Sequence, residues 1–472
     1  MNAHFVKKDE LHIQINSSEK EYLDSVKKHL TAYVKNYRFM KKYKKGVWDG
    51  TISVFDRASR SFPYGLLLEV IRYTKKEHPE IKFKLSNDVK SIYKGIDVSN
   101  LNYDLALYPY DYQKKCIEAL LKSSKGIVNV ATAGGKSLII TYLIYFIQNI
   151  NPEYKALIIV PTKQLVRQFK DDMYNYGYNR SVGIVDSDNK EFDNNTVIST
   201  WQSLNNKMNE LQNFDIIVCD EVHTASANIL FGILKECKNA IFRFGVTGTM
   251  PPNRLDELNV VSYLGPVLKK YTGKDLADLG YVAKCTIKQI HIKYRERLKG
   301  TYNEIKNSIF KNEYRMRVIK EIISKNKHNI LLLVEKVETE GVVLMNELKK
   351  SFPDKNVVFL SGKDKSEIRN QWRKYIDKDL DDTIIIATYG ILSVGVNIPS
   401  LKSMVLCSST KSYIRVIQSL GRILRKHNTK EIGGAVLYDI CDSVKHLISH
   451  SNKRNKHYIK EGYDVEDIYL KE

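Results

Sequence analysis

The chain lacks the segments that would place it in a membrane, in a secretory pathway or in a disordered class. Its longest apolar run, Leu138 to Ile147, is too short to span a bilayer, and residues 1–10 contain no apolar signal core. No long tract of serine, glycine or proline is present in the 472 residues. We therefore expect a compact, cytoplasmic protein without a membrane partner.

The six cysteines, at positions 116, 219, 237, 285, 407 and 441, form no CxxC pair. This spacing disfavours a zinc site or a disulfide framework and predicts a reducing compartment. Acidic residues are also in deficit, because 54 Asp and Glu stand against 75 Lys and Arg, which gives a formal charge of +21. Such a surplus predicts a polyanionic partner, for which nucleic acid is the natural candidate. A coding bias towards lysine is the alternative.

A glycine-rich loop between an apolar strand and an apolar helix is the most informative feature. Residues 128–137 read VNVATAGGKS, with Val130 where such loops usually carry their first glycine. Backbone N–H groups and a helix N-terminus can hold phosphate, while a lysine adds charge and a serine can ligate Mg²⁺. The loop predicts a nucleotide site made by Thr132, Ala133, Gly134, Gly135, Lys136 and Ser137.

Two carboxylates end a later apolar strand, in the sequence Phe214 to His223, FDIIVCDEVH. Ligands of open α/β sheets gather at the carboxyl ends of strands, where Asp220 and Glu221 would lie. Asp220 can hold Mg²⁺, and Glu221 can orient or deprotonate the attacking water. An acidic cap on a strand is the simpler alternative.

A basic helical face follows much later, in residues 418–425, QSLGRILR. Gln418, Arg422 and Arg425 share this face at spacings of four and three. Arginine meets an anionic transition state with two donors, so these residues are candidate catalytic groups supplied by a second domain.

Together these elements resemble the motifs of the superfamily-two helicases and translocases. Further motifs occur along the chain in the order that this family has them. The resemblance implies adenine recognition by Gln113 and coupling of hydrolysis to movement by Thr247 and Thr249, within VTGT. It also places Gly395 at the nucleotide, while Asn397 stands where an aspartate is frequent. The implied nucleic-acid contacts are Pro161, Thr162, Thr200, Trp201, Ser361, Gly362 and Thr388.

Alternating apolar strands and helices predict an α/β fold with two tandem RecA-like parallel-sheet motor domains, preceded by a small α+β domain. We expect the small domain, a possible DNA-binding accessory, at 1–100, the motor domains at 101–280 and 281–447, and a basic extension at 448–472. In the first domain, Glu19 to Tyr33 is predicted as a helix, and Leu11 to Ile15 and Thr51 to Phe55 as strands. The second motor series carries no phosphate loop, so both are expected to share one ATP.

The sequence of the first hundred residues resembles more specifically the N-terminal domain of the UvsW-type helicases of tailed phages. The resemblance rests on Arg38-Phe39, Gly46 to Gly50 (GVWDG) and Phe62 to Leu66 (FPYGL), and continues through the motor motifs. Trp48 and Asp49 are read mainly as a hairpin turn with a packed indole, with recognition of branched DNA as the alternative. The resemblance makes His223 a relay between ATP and DNA states.

The resemblance implies a monomeric enzyme that uses ATP and Mg²⁺ to remodel branched or forked DNA and RNA–DNA hybrids, in phage recombination, replication and repair. An RNA helicase would use the same motor. The motor subunit of a restriction system would need a nuclease centre, for which Asp88-Val-Lys90 lacks a partner motif. A catalytically silent DNA-binding scaffold is the remaining alternative.

Overall fold

The structure is a computed structural model that describes residues 2–222, 227–295, 300–362, 364, 371–372, 375, 382–390, 401–410, 412, 416, 421, 424 and 434–472. Its contacts divide the chain into two compact units. The first comprises Met1–Val130 and Gly135–Lys270, and the second comprises Ala131–Gly134 and Tyr271–Glu472.

The first unit begins with a small α+β region. Its strands are β1 (Asn2–Lys7), β2 (His12–Asn16), β3 (Thr31–Tyr33), β4 (Thr51–Ser53), β5 (Ser61–Pro63) and β6 (Lys82–Leu85), and its helices are α1 (Lys20–His29), α2 (Lys41–Lys44), α3 (Leu67–Glu77) and α4 (Asn87–Ser91). The sheet order is β5-β2-β1-β6, in which only β1 and β6 pair in parallel. Strands β3 and β4 form a separate antiparallel ribbon.

The helix expected over Glu19 to Tyr33 is shorter in the structure. Helix α1 ends at His29, and the Thr31 hydroxyl donates to the Lys27 carbonyl at 2.6 Å. The next residues, Thr31 to Tyr33, are β-branched or aromatic at two of three positions and pair with β4 instead.

A parallel sheet follows in the first unit. Its strands are β7 (Lys125–Val130), β8 (Ala156–Val160), β9 (Val182–Val185), β10 (Thr196–Thr200), β11 (Ile216–Asp220), β12 (Phe242–Thr247) and β13 (Val267–Tyr271), and the helices around it are α5 (Asp111–Ser123), α6 (Lys136–Ile150), α7 (Lys163–Asn175), α8 (Trp201–Leu204), α9 (Ala227–Glu236) and α10 (Arg254–Leu264). The order is β13-β7-β12-β11-β8-β10-β9. Central strands such as β8 are buried throughout, because helices cover both faces of the sheet.

The second unit holds another parallel sheet. Its strands are β14 (Cys285–Lys293), β15 (Ile330–Val334), β16 (Asn356–Leu360), β17 (Thr383–Thr388), β18 (Ser403–Leu406), β19 (Ala435–Asp442) and β20 (Asp464–Lys471), and its described helices are α11 (Gly273–Asp278), α12 (Tyr302–Lys311), α13 (Glu313–Ser324), α14 (Val343–Ser351) and α15 (Lys445–Lys460). The order is β16-β17-β15-β18-β19-β14-β20. Residues 448–472, expected as a basic extension, form most of α15 and the edge strand β20.

The fold class expected from the sequence is confirmed: two parallel-sheet domains follow a small α+β region. Within the described parts of the chain, no helix combines the length and apolar character needed to cross a bilayer. All six cysteines are buried free thiols.

The α+β region packs directly on the first parallel-sheet domain through helix α10. The Tyr64 hydroxyl donates to the Tyr263 carbonyl at 2.6 Å in a fully buried contact. At the neighbouring Gly65, a Cβ atom would lie 1.8 Å from the Val261 carbonyl oxygen. Arg254, the first residue of α10, forms an ion pair with Glu69 of α3. These contacts hold the two parts of the first unit together.

Candidate nucleotide site and nucleic-acid interface

The sheet of the first unit brings the predicted residues to one edge, at the carboxyl ends of its strands. In register, Asn129 of β7 faces Thr247 of β12, and Val246 faces Asp220 of β11. On the other side of β11, Val160 of β8 pairs with Thr200 of β10. The order β7-β12-β11 therefore carries the predicted nucleotide residues, and the order β8-β10 carries the predicted nucleic-acid residues.

The phosphate loop joins β7 to α6 through an unusual backbone. Ala133 and Gly135 adopt left-handed conformations with φ of 72° and 63°, which small residues tolerate best. The Gln113 side-chain amide donates to the Gly135 carbonyl at 3.3 Å, and a Cβ at Gly135 would lie 2.4 Å from that nitrogen. Gln113 is thus tied to the loop, while its predicted contact with adenine stays a prediction.

Lys136 and Glu221 form the centre of the site. The Lys136 ammonium lies 2.9 Å from Glu221 Oε1, and the side chains are only 12% and 13% exposed. The other carboxylate oxygen, Oε2, accepts hydrogen bonds from the Thr247 hydroxyl at 3.2 Å and the Gly248 N–H at 3.1 Å. One carboxylate therefore connects the phosphate-loop lysine to the predicted coupling motif.

Glu221 also has a strained backbone, with φ of 48°. A left-handed conformation is uncommon for a residue other than glycine and clusters at functional sites. The Glu221 N–H donates to the Val246 carbonyl at 3.0 Å, which continues the pairing of β11 with β12. The left-handed backbone conformation of Glu221 therefore lies directly at the end of β11.

Asp220 and Ser137 have the chemistry of a magnesium site. Burial, and then the charge of Glu221, raises the pKa of Asp220, while Lys136 lowers it. Asp220 Oδ1 is buried and meets no hydrogen-bond partner in the described part of the chain, and the same holds for Thr132 Oγ1. A buried carboxylate oxygen and a serine hydroxyl are both ligands of the kind that a hard divalent cation prefers. These residues fit the Mg²⁺ that the fold implies.

Ser137 has a partner that the sequence did not indicate. Its hydroxyl lies 2.8 Å from the Tyr176 hydroxyl, at the end of α7. The two residues are 39 positions apart, and Tyr176 lies in no motif. A single sequence therefore carries no signal for this contact.

The predicted nucleic-acid residues of the first unit lie where helices begin. The side chain of Thr162 accepts from the Leu165 N–H and caps α7, and that of Thr200 accepts from the Ser203 N–H and caps α8. Pro161 and Trp201 beside them are half-buried. Helix N-termini favour anions, so this edge suits a phosphate backbone.

The second unit places its described candidates on two neighbouring strands. Leu360 of β16 pairs with Ala387 of β17, so Ser361 and Thr388 follow side by side. Ser361 and Thr388 are buried, whereas Gly362 is exposed. The other predictions, His223, Gly395, Gln418, Arg422 and Arg425, lie outside the described residues.

Three family descriptions match successive parts of the chain. "DNA helicase UvsW, N-terminal" matches residues 1–84, "Type III restriction enzyme, res subunit" matches 106–252, and "Helicase conserved C-terminal domain" matches 314–427.

Two relatives align with most of the chain. The ATP-dependent DNA helicase uvsW of Enterobacteria phage T4 is 28% identical over 98% of this chain and 96% of its own length. The DNA 3'-5' translocase XPB2 of Sulfurisphaera tokodaii is 23% identical over 68% of this chain and 80% of its own.

Solved structures show the same fold. A crystal structure of T4 UvsW covers all of both chains with a TM-score of 0.52 at 22% identity. A fragment of a putative HsdR subunit of a type I restriction enzyme from Vibrio vulnificus gives a TM-score of 0.59 at 17% identity, over 78% of this chain and 70% of its own.

Proposed function

Because this chain is a UvsW-like ATP-dependent helicase of superfamily two, we propose that it moves along DNA and remodels branched structures. The proposed reactions are fork regression, migration of junctions and unwinding of RNA–DNA loops, during phage recombination, replication and repair. We propose that a monomer carries them out in the host cytoplasm. The observation that carries the proposal is the contact of one carboxylate, Glu221, with both Lys136 and the coupling motif.

The candidate residues have different chemical roles in this proposal. We assign phosphate binding to the loop from Thr132 to Ser137, with Lys136 as its mobile charge. Ser137 and Asp220 would hold Mg²⁺, which offsets phosphate charge when bound. Glu221 orients the attacking water once Lys136 turns to the nucleotide. Arg422 is proposed to stabilise the transition state, as the family resemblance implies.

The coupling proposal follows from the hydrogen bonds of Glu221. Thr247 and Gly248 both donate to Glu221 Oε2, whereas Lys136 contacts Oε1 of the same carboxylate. A change in the Lys136–Glu221 pair therefore alters the end of β12, and helix α10 begins a few residues later at Arg254. We propose that this path transmits the state of the nucleotide to the rest of the first unit.

Nucleic acid as the partner is supported by charge and by position. The formal charge of +21 favours a polyanion. The helix starts that Thr162 and Thr200 cap come directly after β8 and β10, and β8 pairs with β11, which carries Asp220. DNA rather than RNA is proposed because the relative that spans nearly the whole chain is a DNA helicase.

The test is an ATPase assay of the full chain with forked DNA, duplex DNA, single-stranded DNA and RNA, each at two salt concentrations. We expect the largest stimulation with forked DNA, and a loss of stimulation as salt rises, since phosphate contacts release counterions. Stronger stimulation by RNA would favour an RNA helicase. Absence of turnover with every substrate would favour the silent scaffold.

A further inference from the structure

The ribbon of β3 and β4 carries a loop with an unusual surface, residues 34–50, here called the ribbon loop. It holds six basic residues, Lys35, Arg38, Lys41, Lys42, Lys44 and Lys45, against one acidic residue, Asp49. All six basic side chains are exposed. The loop therefore presents a net charge of about +5 on a short stretch of chain, which favours a phosphate backbone.

An aromatic cluster gives the ribbon loop a defined shape. The Tyr37 ring stacks on Tyr33 at 4.7 Å and meets the edge of Tyr43 at 4.8 Å. Gly50 packs so closely that a Cβ there would lie 2.2 Å from the Tyr37 ring. Trp48 donates its indole N–H to the Thr51 carbonyl at 2.8 Å, which fixes the indole at the start of β4.

Large apolar side chains nevertheless point into solvent from this ordered loop. Phe39 and Val47 are each 77% exposed, and Met40 is 41% exposed. Val47 also lines a surface cleft of about 580 Å³, together with Tyr43, Lys44, Gly46, Trp48 and Asp49. Exposed apolar groups surrounded by lysines are complementary to an unstacked nucleotide, because its base has an apolar face and its backbone is anionic.

We propose that the ribbon loop is the surface that separates strands: Phe39 stacks on the base at the point where the duplex opens, and the surrounding lysines hold its phosphates. This inference rests on the proposed function as a DNA helicase. An exposed phenyl ring in an ordered loop can take the place of the neighbouring base in a stack. Lysines alone would bind the phosphates of a duplex and of a fork junction without distinguishing them. The occupant is a DNA fork junction rather than a protein.

The ribbon loop is mechanically joined to the motor through helix α10. Strand β3 packs against α10. Tyr64 and Glu69 bind the same helix at Tyr263 and Arg254. Since α10 follows the coupling motif, movement of the first unit along DNA drives the loop into the junction.

The test compares Phe39→Ala with wild type on a forked DNA that carries 2-aminopurine at the junction. Wild type should change the 2-aminopurine emission on binding, since stacking alters the fluorescence of that base. Phe39→Ala should lose this change and unwind the fork about tenfold more slowly, while its ATPase with single-stranded DNA stays within about twofold of wild type. Phe39→Trp, which retains a stacking ring, should restore both signals.

Tyr469→Ala is the matched control, because Tyr469 is 75% exposed on β20 and lies outside the ribbon loop. It should unwind like wild type. A Phe39→Ala protein that unwinds the fork and alters the 2-aminopurine signal like wild type would overturn the inference. Absence of any DNA-stimulated ATPase in wild type would instead overturn the proposed function, and the 2-aminopurine signal would still decide whether Phe39 contacts the junction.

Discussion

The junction between the α+β region and helix α10 permits a sharp test with one atom removed. Tyr64→Phe deletes a hydroxyl that is buried and donates to the Tyr263 carbonyl at 2.6 Å. Phenylalanine retains the ring, which is 1% exposed as tyrosine. The change therefore leaves the packing of the ring intact, but it leaves the buried Tyr263 carbonyl oxygen without this hydrogen-bond donor.

The expected loss follows from the burial of that carbonyl. Leaving a buried acceptor without its donor costs about 1–3 kcal/mol. In a unit of this size, about 1 kcal/mol lowers the melting temperature by roughly 2–4 °C. Urea unfolding followed by tryptophan fluorescence should shift to lower urea by the corresponding amount, because Trp48 reports on the α+β region.

Two further variants frame this result. Gly65→Ala should cost more than Tyr64→Phe, because its Cβ would lie 1.8 Å from a backbone oxygen that cannot rotate away. Tyr108→Phe is the control, since Tyr108 is 63% exposed and its hydroxyl bonds Lys114 at the surface. If Tyr64→Phe unfolds like Tyr108→Phe, the interface does not hold the region as described.

Three other predictions concern single side chains. Arg422→Ala should suppress ATP turnover while sparing nucleotide affinity more than Lys136→Ala does, since a charge that acts on the transition state adds little to ground-state binding; equal losses of affinity by equilibrium titration would contradict this role. Tyr176→Phe frees the Ser137 hydroxyl and should tighten nucleotide binding in the presence of Mg²⁺ by up to about fivefold, the equivalent of one hydrogen bond; unchanged binding by calorimetry would show that the contact has no cost. Burial, and then the charge of Arg243, lowers the pKa of Lys125 to about 8. The buried charge therefore destabilises the folded state fully below pH 8, and this destabilisation disappears as the pH rises towards 10.5, the value of an unperturbed lysine. Lys125→Met should raise the free energy of unfolding at pH 7, and its difference from wild type should shrink between about pH 8 and 10.

Buried strands could be predicted from the sequence because both faces of a parallel sheet are covered. Strands such as β8, ALIIV, and β15, ILLLV, are therefore continuous apolar runs. Edge strands lack this constraint. Strands β13, VLKKY, and β20, DVEDIYLK, are largely exposed, and their charged residues interrupt the apolar run that indicates a buried strand.

Some residues of the candidate site could be predicted from the sequence, whereas long-range contacts there and elsewhere in the first unit could not. Lys136 and Glu221 lie within contiguous motifs, so their residue types and spacing predicted their roles. The contacts of Ser137 with Tyr176 and of Arg254 with Glu69 join residues 39 and 185 positions apart. Such pairs are brought together by the fold, and no local pattern records them.

The most direct test of the account is a comparison of ATP turnover with DNA affinity in Lys136→Ala and Glu221→Gln. Both side chains belong to one largely buried ion pair at the phosphate loop, whereas the predicted DNA contacts of the first unit lie at the carboxyl ends of β8 and β10. We predict that each variant loses hydrolysis of ATP while its affinity for forked DNA stays within about threefold of wild type. Normal turnover in either variant would contradict the assignment of the nucleotide site.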